Sequence, residues 1–248
     1  MEASQATAKR VSPGEVVSET FSIYGQNLGV LLGSSVAVFL VIGLIEGLAR
    51  NTGGALLGIL AGLVSLAGHA LYVGFVVRLV EDVRDGKRDH TVGDLFSAAS
   101  PMILPLIGFG ILFAIGVTIG FILLIVPGLI LLTIWSVGAP AIVVERVGAI
   151  DAFGRSRRLV KGEGWSVFGA LLLVLLIVIV ISFVLAAIAT PIGNGEAATL
   201  VASVISGVIT APIFALAVTV MYFNLAGAAA PAVPAAPEPP PPPPAPTV

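Results

Sequence analysis

Apolar residues along this chain gather into six long blocks, and most charged residues fall in the stretches between them. The blocks cover residues 28–49, 55–79, 103–126, 129–144, 167–189 and 200–225. A helix needs about 20 apolar residues to cross a bilayer, because in lipid every backbone N–H and C=O must find its partner within the segment. Five blocks meet that length. The fourth is short, follows Pro127-Gly128 and contains Pro140, so it reads as a kinked span or as one half of a re-entrant pair with the third.

The polar stretches ahead of the first, third and fifth blocks resemble one another. They contain Gly14-Glu15-Val16-Val17-Ser18, Gly93-Asp94-Leu95-Phe96-Ser97 and Ile150-Asp151-Ala152-Phe153-Gly154, each with an acid, two apolar residues and a small one. Two blocks also end alike: Val73-Gly74 followed by Val80-Glu81 parallels Val137-Gly138 followed by Val144-Glu145. In the first stretch Val16, Val17, Phe21 and Tyr24 recur at helical spacing, as suits an amphipathic helix in the membrane interface. The pattern predicts an all-α polytopic transmembrane bundle of about six spans, arranged as three hairpins, each preceded by an interfacial amphipathic helix. Its expected organisation is a disordered N-terminus over 1–11, a membrane domain over 12–227 and an Ala/Pro-rich disordered tail over 228–248. The unbroken prolines at 239–244 favour extended polyproline-like chain in that tail.

Charge placement tests the span count. Lys9 and Arg10 precede the first span. Arg78, Arg84, Lys87 and Arg88 cluster between the second and third, and Arg146, Arg155, Arg157, Arg158 and Lys161 between the fourth and fifth. With six spans and both termini cytoplasmic, eleven of the twelve Lys and Arg lie on the inner side and Arg50 alone lies outside. Cytoplasmic loops of membrane proteins carry just such an excess of cations. Removing the fourth span would move the 155–161 cluster outside, so charge supports counting it. The outer connections, around 50–54, Pro127-Gly128 and 190–199, are too short for an outer binding domain.

Composition agrees. Of 248 residues, 57% are hydrophobic and 10% charged, with a mean hydropathy of +1.09, whereas soluble domains carry about 25% charged residues to face water. A net charge of −2 gives no reason to expect nucleic acid as a partner. The absence of cysteine excludes disulfides, Cys-ligated zinc, iron–sulfur clusters and thiol catalysis. With two histidines, His69 and His90, a His-rich metal site is excluded as well, and no cofactor is implied. Small residues recur four apart at Gly25-Gly29-Gly33, Gly54-Gly58-Gly62, Gly116-Gly120 and Gly207-Ala211-Ala215, a spacing that lets helix backbones pack closely in lipid.

Ionisable groups within spans are costly and mark candidate sites. Here they are His69 near mid-span, Arg78 and Glu145 near the inner span ends, and Glu46 near an outer end. Scattered in this way they form no evident proton path. The basic run holding Arg155, Arg157, Arg158 and Lys161 is a candidate contact for anionic lipid head groups, or else a topology signal only. Trp135 and Trp165 suit interfacial anchoring or core packing. Catalytic signatures are missing: there is no His-Glu-x-x-His, no Gly-x-Ser-x-Gly and no P-loop.

A family resemblance runs through these residues. Gly14-Glu15-Val16-Val17-Ser18-Glu19-Thr20-Phe21 and the following Ser22-Ile23-Tyr24-Gly25-Gln26-Asn27-Leu28-Gly29 resemble the opening of the membrane-domain family of glycerophosphoryl diester phosphodiesterase. Val126-Pro127-Gly128, Trp135, Pro140, Val144-Glu145, Asp151-Ala152-Phe153, Ser156, Leu159-Val160 and Gly162 continue it, and Met221-Tyr222-Phe223-Asn224-Leu225 is similar to that family's last span. YciC-like polytopic membrane proteins share the style. The resemblance covers nearly all of 12–225 and implies a stand-alone membrane domain without the catalytic phosphodiesterase barrel. The function expected is that of a non-catalytic multi-pass protein of the cell membrane that scaffolds a membrane or cytoplasmic partner, or organises lipid. A small transporter or channel is the first alternative and an intramembrane lipid-acting enzyme the second.

Overall fold

A computed structural model of the chain describes residues 12–52, 54–86, 90–189 and 196–229. The helices are α1 (Pro13–Gln26), α2 (Leu28–Thr52), α3 (Ala55–Arg84), α4 (Val92–Ala99), α5 (Ile103–Leu123), α6 (Ile125–Trp135), α7 (Gly138–Glu145), α8 (Ala149–Val160), α9 (Gly164–Ala189) and α10 (Glu196–Ala229). A 3-10 turn, Ser100–Met102, joins α4 to α5. Six helical stretches are long and apolar enough to cross a membrane: Leu28–Ala49, Ala55–Arg84, Val92–Leu123, Ile125–Glu145, Gly164–Ile188 and Val204–Gly227. The protein is an all-α polytopic bundle. The expected N-terminal segment, the tail beyond Ala229 and the cations Lys9, Arg10, Lys87 and Arg88 lie outside the described residues.

The chain runs three times through the same plan, a short helix followed by a hairpin: α1 then α2/α3, α4 then α5/α6–α7, α8 then α9/α10. Packing closes these units into a ring. Each short helix docks on the preceding hairpin, α4 on α3, α8 on α5 to α7, and α1 on α9 and α10. The second span of each unit meets the others at the centre, where α3, α7 and α10 touch. The short helices are specified locally. Pro13 starts α1, where its missing N–H costs nothing. Thr91 and Asp94 form a reciprocal capping box on α4, while α8 has Asp151 in its first turn and Arg157 and Arg158 in its last, matching the helix dipole. Their apolar faces are covered by protein: Val16 and Ile23 of α1, Leu95 and Ala99 of α4, and Ala152, Leu159 and Val160 of α8 are buried.

The fourth span is a broken helix. Helix α6 stops at Trp135, two residues turn, and α7 carries Pro140 within its first turn, where proline is tolerated. Aromatic rings fill the surroundings of the break. Trp135 lies edge-on to Phe153 at 4.8 Å, and Phe153 faces Phe109 at 4.6 Å. The turn between the third and fourth spans differs from expectation. It falls at Leu124, in extended conformation, and Pro127-Gly128 lies inside the first turn of α6. The reason is steric: Pro127 needs no donor there, and the bare Gly128 backbone lets α5 approach, since a Cβ on Gly120 would stand 2.9 Å from the Gly128 Cα.

Glycine spacing alone did not locate helix contacts. Gly116 is overlaid by Trp135, and a Cβ on Gly207 would touch the Phe39 ring at 3.3 Å, so these stripes pack. At Gly25, Gly29, Gly33, Gly58 and Gly62 an added Cβ would meet nothing within 4 Å.

Proline 212 lies inside α10. Lacking an N–H, it cannot bond the carbonyl of Val208 four residues earlier. Ser35 of α2, fully buried, supplies a donor instead, its hydroxyl lying 3.0 Å from the Val208 oxygen and 3.1 Å from the Leu32 carbonyl of its own helix, so that one proton serves both. The Tyr24 hydroxyl of α1 donates to the neighbouring Ile209 carbonyl at 3.4 Å, and burial raises that phenol's pKa above its usual value.

Candidate functional site

A group of polar and charged side chains gathers where α3, α7 and α10 end, beneath the three short helices. Glu145, the last residue of α7, is the hub. Arg155 of α8 donates from Nε to both its oxygens, at 2.7 and 2.8 Å. The Tyr222 hydroxyl of α10, itself buried, donates to Oε1 at 2.7 Å. One carboxylate thus joins the centre of the bundle to a short helix.

Arg78 of α3 lies one step away. Its Nη2 donates to the Val143 carbonyl of α7 at 2.7 Å and its Nη1 to Glu81, while its Nε is buried and meets no acceptor among the described residues. Arg84 donates to Glu19 of α1 and, at 3.0 Å, to Asn224 of α10. Asn224 in turn donates to Glu19 at 3.3 Å, and the Arg84 guanidinium sits 4.9 Å from the Phe223 ring centre. His90, just ahead of α4, pairs with Asp82 of α3. Each short helix, or the residue leading into it, is therefore clipped by a polar contact to the span end on which it docks: Glu19 to Asn224, His90 to Asp82 and Arg155 to Glu145.

Of the expected intramembrane candidates, Arg78 and Glu145 belong to this network and His69 does not. The His69 Nδ1 lies 2.7 Å from the Ser65 carbonyl of its own helix, so Nδ1 carries the proton in that bond, and its ring stands edge-on to Phe39 at 5.1 Å. Nearby, the Ser65 hydroxyl donates to Glu46 across the α2/α3 contact. Of the expected lipid-contacting cations, Arg157, Arg158 and Lys161 are exposed, whereas Arg155 is engaged by Glu145. Sequence reasoning missed Glu19, Glu81, Arg84, Tyr222 and Asn224 as partners. Their signal was their place in the repeat, at span ends equivalent to Glu145 or on the short helix that docks there.

The charges at the ends of α3 and α7 are paired with one another or with the short helices, which suits them to holding helices together, while Arg157, Arg158 and Lys161 of the same end stay exposed. Among the described residues no three His, Asp or Glu side chains are grouped as metal ligands. At the far end of α2 and α3, a cleft of about 240 Å³ is lined by apolar residues, including Ile45, Leu57, Leu60 and Val64.

No solved structure matches this chain. A UPF0259 membrane protein of Pectobacterium carotovorum is 30% identical over 98 residues, which are 40% of this chain and 39% of that protein's own length. A family model described as a domain of unknown function, DUF7847, matches residues 50–234, about three quarters of the chain, and the protein belongs to that family.

Proposed function

We propose that this is a non-catalytic multi-pass protein of the cell membrane whose working surface is the end carrying α1, α4 and α8, where it scaffolds a partner or organises lipid. The observation that carries this reading is the ring of three short helices, each held by a side-chain clip at the end of a central span. Such a platform is rigid because each clip joins residues of different units. Helix α3 is about 45 Å long against a hydrocarbon core of about 30 Å. If its outer end starts at the membrane boundary, its last ten residues, with Glu81 and Arg84, project to head-group depth or beyond. The excess of cations at this end supports its facing the cytoplasm, with both termini inside.

The broken span favours transport as a second reading, since interrupted helices can line binding sites. Against it, Phe109, Trp135 and Phe153 pack around this break, and the hydroxyls beside it, of Thr133, Ser136 and Ser156, are already bonded to backbone carbonyls. A lipid-acting enzyme would draw on the Glu145 cluster, but both oxygens of that carboxylate are already bonded to Arg155.

Photo-crosslinkers placed singly at Phe21, Val92 and Ile150, all exposed on the short helices, test the proposal in intact cells. One recurrent protein or specific-lipid adduct from these sites, absent at Leu56 and Phe183, which on the spans meet bulk lipid, is the expected result. Adducts no more frequent at the short helices than at the spans would overturn it.

A further inference from the structure

We infer that the outward face of α8 and the first turn of α9 form a docking surface for the head groups of anionic phospholipids in the surrounding bilayer. This rests on the reading of the short-helix end as the working surface and adds the partner's chemistry. At about 100° per residue, Ile150 and Arg157 of α8 and Lys161, the residue that caps its C-terminus, fall within about 40° of one another, with Arg158 about 60° further round. All four are exposed, and the acid sharing this face, Asp151, lies beyond Arg158 at the other end of the helix. The opposite face is occupied: Ala152, Ser156 and Leu159 are buried, and the Ser156 hydroxyl donates to the Ile134 carbonyl at 2.8 Å.

Gly162, at φ 94°, turns the chain from α8 into α9 in a conformation that side-chain-bearing residues rarely adopt. That turn sets Trp165 in the first turn of α9, four residues past Lys161 and 87% exposed, while Ile150 is 77% exposed. Two large apolar side chains standing out beside three cations suit a medium that is apolar below and anionic above. The head-group layer is that medium. Tryptophan concentrates there, and these residues sit where the chain enters its fifth span, so the surface is held at head-group level. Lipid fits this surface better than a soluble partner, because the cations flank a span entrance and not a loop projecting into water.

The test uses the purified full chain in mixed micelles containing equal phosphatidylglycerol and phosphatidylcholine, with retained lipid counted by native mass spectrometry. Wild type should enrich phosphatidylglycerol, and raising salt from about 0.1 to 0.5 M should reduce that preference. The triple variant Arg157→Gln, Arg158→Gln, Lys161→Gln should lose it, at roughly fivefold in affinity per charge removed. Trp165→Ala should lower retention of both lipids alike. Lys161→Glu alone should weaken the preference, which keeps the test decisive if the triple variant does not fold. An unchanged preference in a folded triple variant, an equal loss from Arg146→Gln, or a preference insensitive to salt would each overturn the inference. Retention of an acidic protein in place of lipid would also overturn it, yet would leave the platform reading standing. Crosslinking silent at Phe21, Val92 and Ile150 alike would instead remove the platform.

Discussion

The bond from Ser35 to the carbonyl that Pro212 orphans yields a prediction whose size can be worked from the structure. Replacing Ser35 by alanine removes the hydroxyl that reaches Val208 at 3.0 Å, at a fully buried position between α2 and α10. Interhelical hydrogen bonds in membrane proteins are worth about 0.6 kcal/mol on average and up to about 1.7. An acceptor left buried without a partner costs about 1–3 kcal/mol. Water is scarce at that depth and Pro212 offers no donor, so we expect Ser35→Ala to cost about 1.5 kcal/mol, near the top of the first range. Pro212→Ala restores the N–H that would bond Val208 within the helix. In that background Ser35→Ala should cost about 0.5 kcal/mol, because the serine then loses only a second bond to an oxygen already served. The coupling of about 1 kcal/mol can be read by a double-mutant cycle on reversible unfolding in mixed micelles. Equal costs of Ser35→Ala in the two backgrounds, within about 0.3 kcal/mol, would refute the compensation.

Two further outcomes follow from the packing. Glu145→Leu should destabilise the bundle by about 1.5–3 kcal/mol, as expected for losing hydrogen bonds to a charged group, with partial exposure of the pair holding it to the lower part of that range; Tyr222→Phe on top of it should add almost nothing in the same unfolding assay, since its acceptor is already gone. Gly138→Ala would place a Cβ 2.3 Å from the Phe109 ring, so overpacking of about 1–3 kcal/mol is expected, and Phe109→Leu should relieve most of it.

Much of this architecture was legible in order along the chain, and the reason is local. A span must satisfy its own backbone in lipid, so each one announces itself as an uninterrupted apolar run. The short helices could likewise be read from a recurring pattern of an acid, two apolar residues and a small one, and that recurrence revealed a threefold plan. Span boundaries were less secure. Pro127-Gly128 reads as a turn in sequence, yet proline is equally at home in the first turn of a helix, and only the close approach of Gly120 to Gly128 decides between the two.

What tertiary structure alone decided is who meets whom. The docking of α1 on the third hairpin, the meeting of Glu145 with Tyr222 across 77 residues and of Ser35 with Val208 across 173 are pairings between distant segments. Glycine stripes show the same limit, for Gly116 receives Trp135 while Gly58 and Gly62 face open space at the same spacing. Arg155 and Arg157 are two residues apart in one basic run, but about half a turn of helix sends the first inward to Glu145 and leaves the second exposed. Hydropathy determines that a segment lies in the membrane. Which of its faces touches lipid and which touches protein depends on the shape of its neighbours, and no single segment carries that information.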